Sequence, residues 1–507
     1  MLATAVAAAL RLYELGVWSF WIDEAHTYRD GVMPLGAFLQ QDRVFYPLTF
    51  LAVRGLLGLG WIGADEYSLR LPFAVLGIVT IPLLALCGRR LIGANAAVLA
   101  AWLLAVHPWH VYWSQNARGY ALVCLFAAVA ANRAHAYVVT QRALDLAAAV
   151  LAIAIAALSH PTGAMLAAGW LAFVGLRRVQ RVHRRFVFGF VAVVVLAAIA
   201  LPILFRWSPF QGFQRAKADA SLPHFVQTTA FYFRPALLLA ALAGLAVGWR
   251  GLGRDRALLL GCLALVPFGV LLVLGGDVVK VTARYAICTL PLFCWLGALA
   301  CVRIAELAAG PLHRRHRLLA AALPLPLLLF ADQVPQLVEY YTSQHGQRAR
   351  WREACQFARS RAGTRNLRVV TVNQPTAAYY LRPEHWQATN GDPNPGVLVE
   401  TLLDWRVSGR KGEEGSPAEQ AVVLHEPGAA NHLRWHAAEA SKAGARLVVL
   451  VTLPELAEID AKIKPADDPG PEPLRRALEA DFELVLHLPC WVGPKDESIY
   501  VYVPRSG

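Results

Sequence analysis

Long apolar segments are the feature that most restricts how this 507-residue chain can fold. A helix needs about 20 mostly apolar residues to cross a bilayer, or fewer where flanking side chains snorkel. Ten such runs follow one another between Leu69 and Ala331. Together with a hydrophobic content of 57%, they exclude an ordinary soluble globular protein. The runs are 69–87, 95–112, 120–139, 144–159, 162–176, 186–205, 230–249, 257–274, 285–302 and 318–331. The sequence therefore predicts an α-helical polytopic membrane protein.

The apolar start of the chain, Met1–Leu15, is short for a crossing and contains Arg11. Two interpretations stay open: this segment crosses the bilayer with Arg11 snorkelling outward, or the natural protein begins upstream of Met1. Counting the segment gives about 11 transmembrane helices. The stretch 50–62 is predicted to be an interfacial helix, because another crossing there would reverse every later loop.

Arginine clusters predict the orientation. With eleven spans, all of the clusters fall on one side, which the positive-inside rule identifies as cytoplasmic. The net charge of +13 then reflects topology and not nucleic-acid binding. The N-terminus is then predicted to be cytoplasmic, and the loops around Asp23, Arg118 and His160 are predicted to face outward. The clusters comprise Arg89, Arg90, Arg142, Arg177, Arg178, Arg181, Arg184, Arg185, Arg250, Arg254, Arg256, Arg314, Arg315 and Arg317.

The composition changes near residue 333. We therefore predict a transmembrane domain, 1–332, whose first outward loop, 17–68, holds interfacial helices, and a soluble extracytoplasmic α/β domain, 333–507. Cys355 and Cys490 fall in the second domain and are compatible with one disulfide after export. Strand candidates at 367–372, 421–425, 446–452 and 500–503 alternate with helix candidates at 347–361, 429–443 and 474–480.

Two adjacent carboxylates, Asp23 and Glu24, follow the first apolar segment inside the aromatic stretch 18–28. In one interpretation they rest in hydrated headgroups or cap a short helix. In the other they are catalytic, because a carboxylate at the membrane boundary can take a proton from an acceptor hydroxyl while a lipid-borne donor arrives laterally.

Arginines stand at several outward boundaries. Arg118 enters a span, where it either snorkels to headgroups or binds the phosphate of a donor, whose charge grows as the glycosidic bond breaks. Arg70 and the pair Arg284 and Tyr285 repeat this arrangement. His160 is either a local hydrogen-bond partner or a functional group. The sequence shows no closed metal site, so we expect no metal and predict no cofactor.

The order of five motifs carries a family resemblance. From about Arg11 to the last membrane helix, the chain resembles glycosyltransferase family 39, the bacterial dolichyl-phosphate-mannose-protein mannosyltransferase-like enzymes, and is similar to the lipid A aminoarabinose transferase. The resemblance implies a C-type glycosyltransferase fold, a polyprenyl-phosphate sugar donor and inverting transfer to a glycan, lipid or protein acceptor on the extracytoplasmic face. The motifs are Arg11-Leu12-Tyr13, Ser19-Phe20-Trp21-Ile22-Asp23-Glu24-Ala25, Leu69-Arg70-Leu71-Pro72, Tyr112-Trp113-Ser114-Gln115-Asn116-Ala117-Arg118-Gly119-Tyr120-Ala121-Leu122 and Ser159-His160-Pro161-Thr162.

The resemblance also implies site residues. The family's catalytic aspartate matches Asp23, the proposed general base, and Glu24 completes the motif and would orient the loop or bind sugar. Two departures stand out: Phe45-Tyr46-Pro47-Leu48-Thr49 replaces the usual His-Pro-Pro-Leu-Tyr or Lys-Pro-Pro-Leu, and Asn116 replaces a glutamate. The candidates for binding the donor phosphate or sugar are Arg43 and Tyr46 as substitutes for the missing His or Lys, together with Arg70, Arg118, Tyr120, His160, Arg284 and Tyr285.

Three other interpretations remain beside the glycosyltransferase. A lipid or solute transporter is disfavoured, because the ionisable groups collect at the outer boundary and not at midspan. An inactive homologue is compatible with the two departures. A non-catalytic membrane anchor for the C-terminal domain leaves the polar outward loops unexplained.

Overall fold

The computed structural model describes residues 1–40, 44, 46–177, 222–274, 283–309, 323–382, 396–402, 428–453, 473–492 and 495–505. The chain divides into two compact units. One, the membrane unit, comprises Met1–Leu15 and Pro34–Glu339; the other, the sheet unit, comprises Gly16–Met33 and Tyr340–Gly507. The predicted domain boundary puts the whole first loop with the membrane helices, whereas Gly16–Met33 clusters with the C-terminal residues.

Helices make up most of the described chain, as predicted. Asp65 shows how one of them begins, because its carboxylate accepts a hydrogen bond from the backbone N–H of Ser68 at 3.0 Å. In chain order, the described helices are α1 (Leu2–Leu12), α2 (Ile22–Val32), α3 (Leu35–Phe38), α4 (Leu48–Gly58), α5 (Glu66–Ile92), α6 (Ala94–Ala105), α7 (Pro108–Ser114), α8 (Tyr120–Thr140), α9 (Ala143–Ser159), α10 (Met165–Arg177), α11 (Leu222–Phe233), α12 (Pro235–Gly251), α13 (Arg254–Leu274), α14 (Leu290–Ala309), α15 (Pro324–Thr342), α16 (Trp351–Ala362), α17 (Gln374–Leu381), α18 (Gly428–Lys442) and α19 (Pro473–Asp481).

Four described helices are long and apolar enough to cross a membrane: Glu66–Ile92, Tyr120–Thr140, Arg254–Leu272 and Ala283–Ala308. A fifth crossing results if the bent pair α11 and α12 counts as one span. These spans confirm a multi-pass membrane protein. Of the eleven predicted spans, 186–205 lies outside the described residues.

Two predicted straight spans are broken by proline. The run 95–112 divides into α6 and α7, with Pro108 at the first position of α7. The run 230–249 bends by 88° between α11 and α12, where Arg234 takes a φ of 67° directly before Pro235. Proline lacks an N–H and disfavours helical backbone in the residue before it, which accounts for both breaks.

Arg11 does not snorkel outward, so that expectation is wrong. Its side chain is fully buried, and its guanidinium donates to the backbone carbonyls of Leu104 at 3.2 Å and Ala105 at 2.9 Å. These carbonyls end α6 and therefore lack partners within the helix. A cation is favourable at that negative end of the helix dipole. The side chain of Gln115 donates back to the carbonyl of Tyr13 at 2.7 Å, so α1 and the second loop hold each other in place.

The sheet unit contains a mixed sheet of five strands in the order β2-β1-β3-β7-β4. Strand β1 runs parallel to β2 and β3, while β7 is antiparallel to β3 and β4. The predicted strands 367–372, 446–452 and 500–503 are confirmed, and the predicted strand 421–425 lies outside the described residues. The strands are β1 (Leu367–Thr371), β2 (Val397–Thr401), β3 (Arg446–Thr452), β4 (Phe482–Leu488), β5 (Trp491–Val492), β6 (Lys495–Asp496) and β7 (Ile499–Pro504).

Apolar layers cover both faces of this sheet. Val369 packs in one cluster with Trp351 of α16, and its neighbour Val370 packs in the other with Leu433 of α18. Successive strand residues point to opposite faces, so a strand such as β1, in which both Val369 and Val370 are buried, needs cover on both sides. The predicted α/β character of this part is confirmed.

Cys355 and Cys490 are both free thiols in the structure, and both are buried. The Sγ of Cys490 donates to the backbone carbonyl of Arg348 at 3.0 Å. Burial raises the pKa of Cys490 to about 12. The structure therefore shows no disulfide between these two residues.

Candidate active site

The carboxylates Asp23 and Glu24 lie in the first turn of α2. Negative charge is favourable there, because the N-terminus of a helix is the positive end of its dipole. Successive residues of a helix point about 100° apart, and the two side chains accordingly meet different surroundings. Glu24 is fully buried, whereas Asp23 is only partly buried. The acidic pair is thus divided into one inward and one accessible carboxylate.

Glu24 faces Arg348 within the sheet unit. The Nε of Arg348 lies 3.5 Å from an Oε atom of Glu24, and neither side chain has any exposed surface. The same guanidinium donates to the hydroxyl of Tyr340 at 3.1 Å and to the carbonyl of Gly346 at 2.8 Å. A buried charge pair requires such additional hydrogen bonds to offset its desolvation. Arg348 therefore joins α2 to the chain around Gly346.

Gly346 allows a tight contact beside this pair. It takes a φ of 60°, and a Cβ atom added there would lie 2.6 Å from the indole of Trp18. The Trp18 ring also packs edge-on against His345, with centroids 5.1 Å apart. A residue larger than glycine would have to displace Trp18, which lies four residues before the start of α2.

Other residues of the segment Gly16–Met33 also contact α16 and α17 within the sheet unit. Tyr28 packs edge-on against Tyr379 at a centroid distance of 5.3 Å. Hydrogen bonds from or to α16 and α17 fix the backbone and side chains before α2. They join Phe20 N to the Tyr380 hydroxyl (2.6 Å), Ser19 Oγ to Glu353 Oε2 (3.2 Å), Arg352 Nη1 to the Val17 carbonyl (3.0 Å) and Arg352 Nη2 to the Gly16 carbonyl (3.1 Å).

A second group of predicted site residues assembles within the membrane unit around His160. The ring of Tyr120 lies 4.1 Å from the imidazole between centroids, and that of Tyr46 lies at 5.8 Å. Burial, and then the positive charges of Arg118 and Arg284, hold the pKa of His160 well below its ordinary value. The structure therefore brings together five candidates, Tyr46, Arg118, Tyr120, His160 and Arg284, from four separate parts of the sequence.

The imidazole of His160 also has the local role that the sequence left open. Its Nδ1 accepts a hydrogen bond from the backbone N–H of Thr162 at 3.3 Å, at the start of the 3₁₀ turn Pro161–Ala164. An accepting Nδ1 carries no hydrogen, so the neutral ring has its hydrogen on Nε2. The local bond thus fixes a tautomer whose other nitrogen is a donor.

The positively charged side chain of Arg284 lies close to tyrosine side chains. Its Nη2 donates to the hydroxyl of Tyr285 at 3.0 Å, and its guanidinium lies 5.0 Å from the centre of that ring. Tyr120 and Tyr232 are also close enough to interact with it electrostatically. Arg118 lies 5.6 Å from the ring centre of Phe50. Two guanidinium groups and several hydroxyls thus surround His160, an arrangement suited to an anionic ligand.

The other predicted site residues stand as follows. Arg70 is fully buried and its Nη1 donates to the backbone carbonyl of Leu15 at 3.1 Å, which is a structural contact at the end of the first apolar segment. Arg43 lies outside the described residues. Among the residues that the structure describes, no three His, Cys, Asp or Glu side chains come together as a metal site.

A family profile described as dolichyl-phosphate-mannose-protein mannosyltransferase matches residues 47–205. The matched segment contains Arg70, Arg118, Tyr120 and His160. The predicted family resemblance is confirmed. No curated protein sequence matches the chain.

Solved structures of the same fold extend over nearly the whole chain. ArnT from Cupriavidus metallidurans bound to undecaprenyl phosphate has a TM-score of 0.55 at 14% identity, covering 99% of this chain and 97% of that one. The Archaeoglobus fulgidus oligosaccharyltransferase tethered with an acceptor peptide has a TM-score of 0.55 at 13% identity, covering 98% of this chain and 73% of that one. The archaeal oligosaccharyltransferase AglB from Archaeoglobus fulgidus, in complex with an inhibitory peptide and a dolichol-phosphate, has a TM-score of 0.51 at 13% identity. It covers 95% of this chain and 72% of that one. The predicted C-type glycosyltransferase fold is confirmed.

Gly119 is a point of close contact in the mannosyltransferase-like segment. A Cβ atom there would collide with the backbone carbonyl of Ser159 and lie 2.5 Å from the Oγ1 of Thr49. The Thr49 hydroxyl itself donates to that carbonyl at 3.0 Å. The first turn of α4 and the last residue of α9 therefore meet at Gly119, directly between Arg118 and Tyr120.

Gly119→Ala is expected to destabilise the protein by about 1–3 kcal/mol, because the added methyl group must displace backbone. The matched control is Gly175→Ala, since nothing lies within 4 Å of a Cβ at that position in α10. Thermal unfolding of both purified variants, followed by tryptophan fluorescence, measures the effect. Equal unfolding temperatures for the two variants would contradict the contact.

Proposed function

We propose that this chain is a membrane glycosyltransferase that moves a sugar from a polyprenyl-phosphate donor to an acceptor hydroxyl. The observation that carries the proposal is the group formed by Arg118, Arg284, His160 and Tyr120 in a protein of C-type glycosyltransferase fold. A ligand of this kind is supported by ArnT, solved with undecaprenyl phosphate, and by AglB, solved with a dolichol-phosphate. The acceptor belongs to a glycan, a lipid or a protein.

The proposed reaction is a single displacement with inversion. Asp23 takes the proton of the acceptor hydroxyl as the oxygen attacks the anomeric carbon. The bond between that carbon and the phosphate oxygen breaks, and polyprenyl phosphate leaves with the bonding electrons. Arg118 and Arg284 stabilise the charge that develops on the phosphate, and the Nε2–H of His160 donates to one of its oxygens. Burial of these groups strengthens their electrostatic effect relative to water.

Asp23 and Glu24 have different roles in this proposal. The pairing of Glu24 with Arg348 in a fully buried position supports a positioning role for Glu24. Asp23, in the same helical turn but partly exposed, is the general base. Glu24 then affects the reaction indirectly, because it fixes the orientation of α2, the helix that carries Asp23.

The proposed topology has about eleven crossings, with the N-terminus cytoplasmic and the sheet unit extracytoplasmic in a bacterial inner membrane. The one-sided arginine clusters support this orientation. Donor lipids that have crossed to the outer leaflet would then meet the outward loops.

Arg118→Gln is expected to lower kcat/KM for the lipid donor by roughly a hundred- to a thousandfold, because it removes a charge that stabilises the leaving phosphate. Arg118→Lys should retain part of the activity, since it keeps the charge and loses the planar donor group. Arg142→Gln, which removes an exposed arginine at the start of α9, is the control. A normal rate for Arg118→Gln would contradict the proposed phosphate contact.

The same assay separates the rival functions. Purified protein in vesicles is supplied with a polyprenyl phosphate that carries a labelled sugar, and the label and the lipid are followed. A glycosyltransferase places label on an acceptor and releases polyprenyl phosphate. A transporter moves the intact donor to the other leaflet, and an inactive homologue does neither.

A further inference from the structure

Tyr232 has no distinguishing signal in the sequence, because it stands between two phenylalanines in the apolar run 230–249. In the structure it is the second-last residue of α11, directly before the 88° bend into α12. Its ring stacks on that of Trp109, with the centroids 4.0 Å apart and the planes inclined by 28°. The last turn of α11 therefore packs against α7, the short helix that precedes Arg118.

A continuous series of aromatic rings connects Tyr232 with His160. The stack on Trp109 is followed by Trp113, and the centroids of these two indoles lie 5.0 Å apart. The series continues from Trp113 to Tyr120 at 3.7 Å and from Tyr120 to His160 at 4.1 Å. Trp109 is 5% exposed and Trp113 is 1% exposed, so both indoles are closely surrounded. Tyr232 is thus held in a fixed relation to the group around His160.

A hydrogen bond joins α11 to the segment that carries Arg284. The backbone N–H of Ala283 donates to the Oγ1 of Thr228 at 3.2 Å. Thr228 and Tyr232 are four positions apart, so they lie on the same face of α11. Tyr232 is accordingly close enough to Arg284 to interact with it electrostatically. The ring stack and the hydrogen bond are therefore two separate contacts that place Tyr232 beside the donor-site arginine.

The carboxylate of Asp332 fixes the bend that follows Tyr232. One of its oxygens accepts a hydrogen bond from the Nη2 of Arg234 at 2.9 Å, and the other accepts one from the backbone N–H of Ala236 at 3.1 Å. That N–H lies in the first turn of α12 and has no partner within the helix. Asp332 thus holds both sides of the bend, and with it the last turn of α11.

The three tyrosines near Arg284 differ in their access to a ligand. Tyr120 is only 2% exposed, whereas Tyr232 and Tyr285 are partly exposed, as is Arg284 itself. A phenolic hydroxyl both donates and accepts hydrogen bonds, so it can donate to an anion that a neighbouring guanidinium binds. An anion that reaches Arg284 therefore meets Tyr232 as well.

We infer that Tyr232 is a further binding residue of the donor site, whose hydroxyl donates a hydrogen bond to the donor phosphate beside Arg284. This inference rests on the proposed glycosyltransferase function. Because the ring of Tyr232 is already held against Trp109, binding has little side-chain freedom left to remove. The hydrogen bond persists as negative charge grows on the leaving phosphate. Removal of this one hydroxyl should therefore weaken the binding of phosphate and leave the packing of α11 intact.

Binding of undecaprenyl phosphate to the detergent-purified full chain tests the inference, with undecaprenol, which lacks the phosphate, as the second ligand. Tyr232→Phe keeps the ring on Trp109 and removes only the hydroxyl. We expect its affinity for undecaprenyl phosphate to fall about tenfold or more, because a hydrogen bond to a charged group is lost. The weaker binding of undecaprenol should not change. The control is Tyr67→Phe, which removes the hydroxyl of a tyrosine that is 46% exposed in the first turn of α5.

Three outcomes would count against the inference, and they differ in what they leave intact. Unchanged binding of undecaprenyl phosphate by Tyr232→Phe would overturn the role of Tyr232 and leave the proposed function untouched. An equal loss for undecaprenyl phosphate and undecaprenol would show that the hydroxyl supports packing and not the phosphate. Wild-type protein that binds undecaprenyl phosphate no better than undecaprenol would refute the donor site itself, and the proposed function with it.

Discussion

Asp23→Asn is expected to lower sugar transfer by about a hundred- to ten-thousandfold while the protein still folds and inserts. The asparagine side chain keeps the size of the aspartate but cannot accept the proton of the acceptor hydroxyl. Because Asp23 is only partly buried, and the inward carboxylate of the pair is Glu24, the substitution leaves the packing of α2 intact. The rate of label transfer from a polyprenyl-phosphate sugar by the purified protein in liposomes measures the effect.

Two further variants make this result specific. Asp23→Glu keeps a carboxylate but moves it by one methylene group, so it should retain a measurable fraction of the rate. Glu479→Gln removes an exposed carboxylate from the same unit, and its surface pair with Arg475 contributes little to stability. Wild-type turnover by Asp23→Asn would rule out Asp23 as the base. A loss of turnover in Glu479→Gln as large as that in Asp23→Asn would point to an unspecific effect of charge.

Arg348→Met is expected to have the second largest effect. It removes the guanidinium that faces the buried carboxylate of Glu24, and truncating one partner of a buried charge pair costs about 3–5 kcal/mol. The sheet unit should lose stability, and kcat should fall because α2 is no longer held in one orientation. The donor KM should change little, since the proposed donor contacts are made by Arg118 and Arg284. Thermal unfolding and steady-state kinetics of the same preparation provide both readouts.

A double variant tests whether Arg348 acts through Glu24. In Glu24→Gln with Arg348→Met, both charges of the pair are removed together, so the loss of stability should be smaller than the sum of the two single losses. Recovery of stability without recovery of kcat would identify a positioning role beyond simple folding. If the loss of stability in the double variant equals the sum of the losses in the two single variants, Glu24 and Arg348 are not energetically coupled.

The sequence predicts the architecture well because hydropathy and strand composition report local burial. Runs such as 69–87 and 120–139 become α5 and α8, and the β-branched run 446–452 becomes β3. Breaks inside apolar runs are harder to see. Around Pro235 the mean hydropathy of the sequence remains apolar although the backbone bends. Hydropathy contains no information on the N–H group that proline lacks.

Buried arginines are the least predictable part of the structure. Arg11 looks like a snorkelling residue at the edge of a short apolar segment, but the open carbonyl end of α6 provides acceptors for it in the interior. Arg348 stands in an arginine-rich stretch that resembles protein surface, and its partner Glu24 is more than three hundred residues away. Such pairs depend on tertiary contacts that no local pattern contains. By contrast, Arg118, Tyr120 and His160 each lie in a loop motif, so the sequence identifies them individually and the structure adds their proximity.

The measurement that tests the central claim most directly uses vesicles from cells that lack this chain, which contain the acceptor in its unmodified form. Purified protein and a polyprenyl phosphate carrying a labelled sugar are added, and labelled acceptor and sugar-free polyprenyl phosphate are quantified together. We predict equal amounts of the two products with the wild type, and roughly a hundredfold less of both, or lower still, with Asp23→Asn. Movement of intact donor between leaflets without any labelled acceptor would contradict the account.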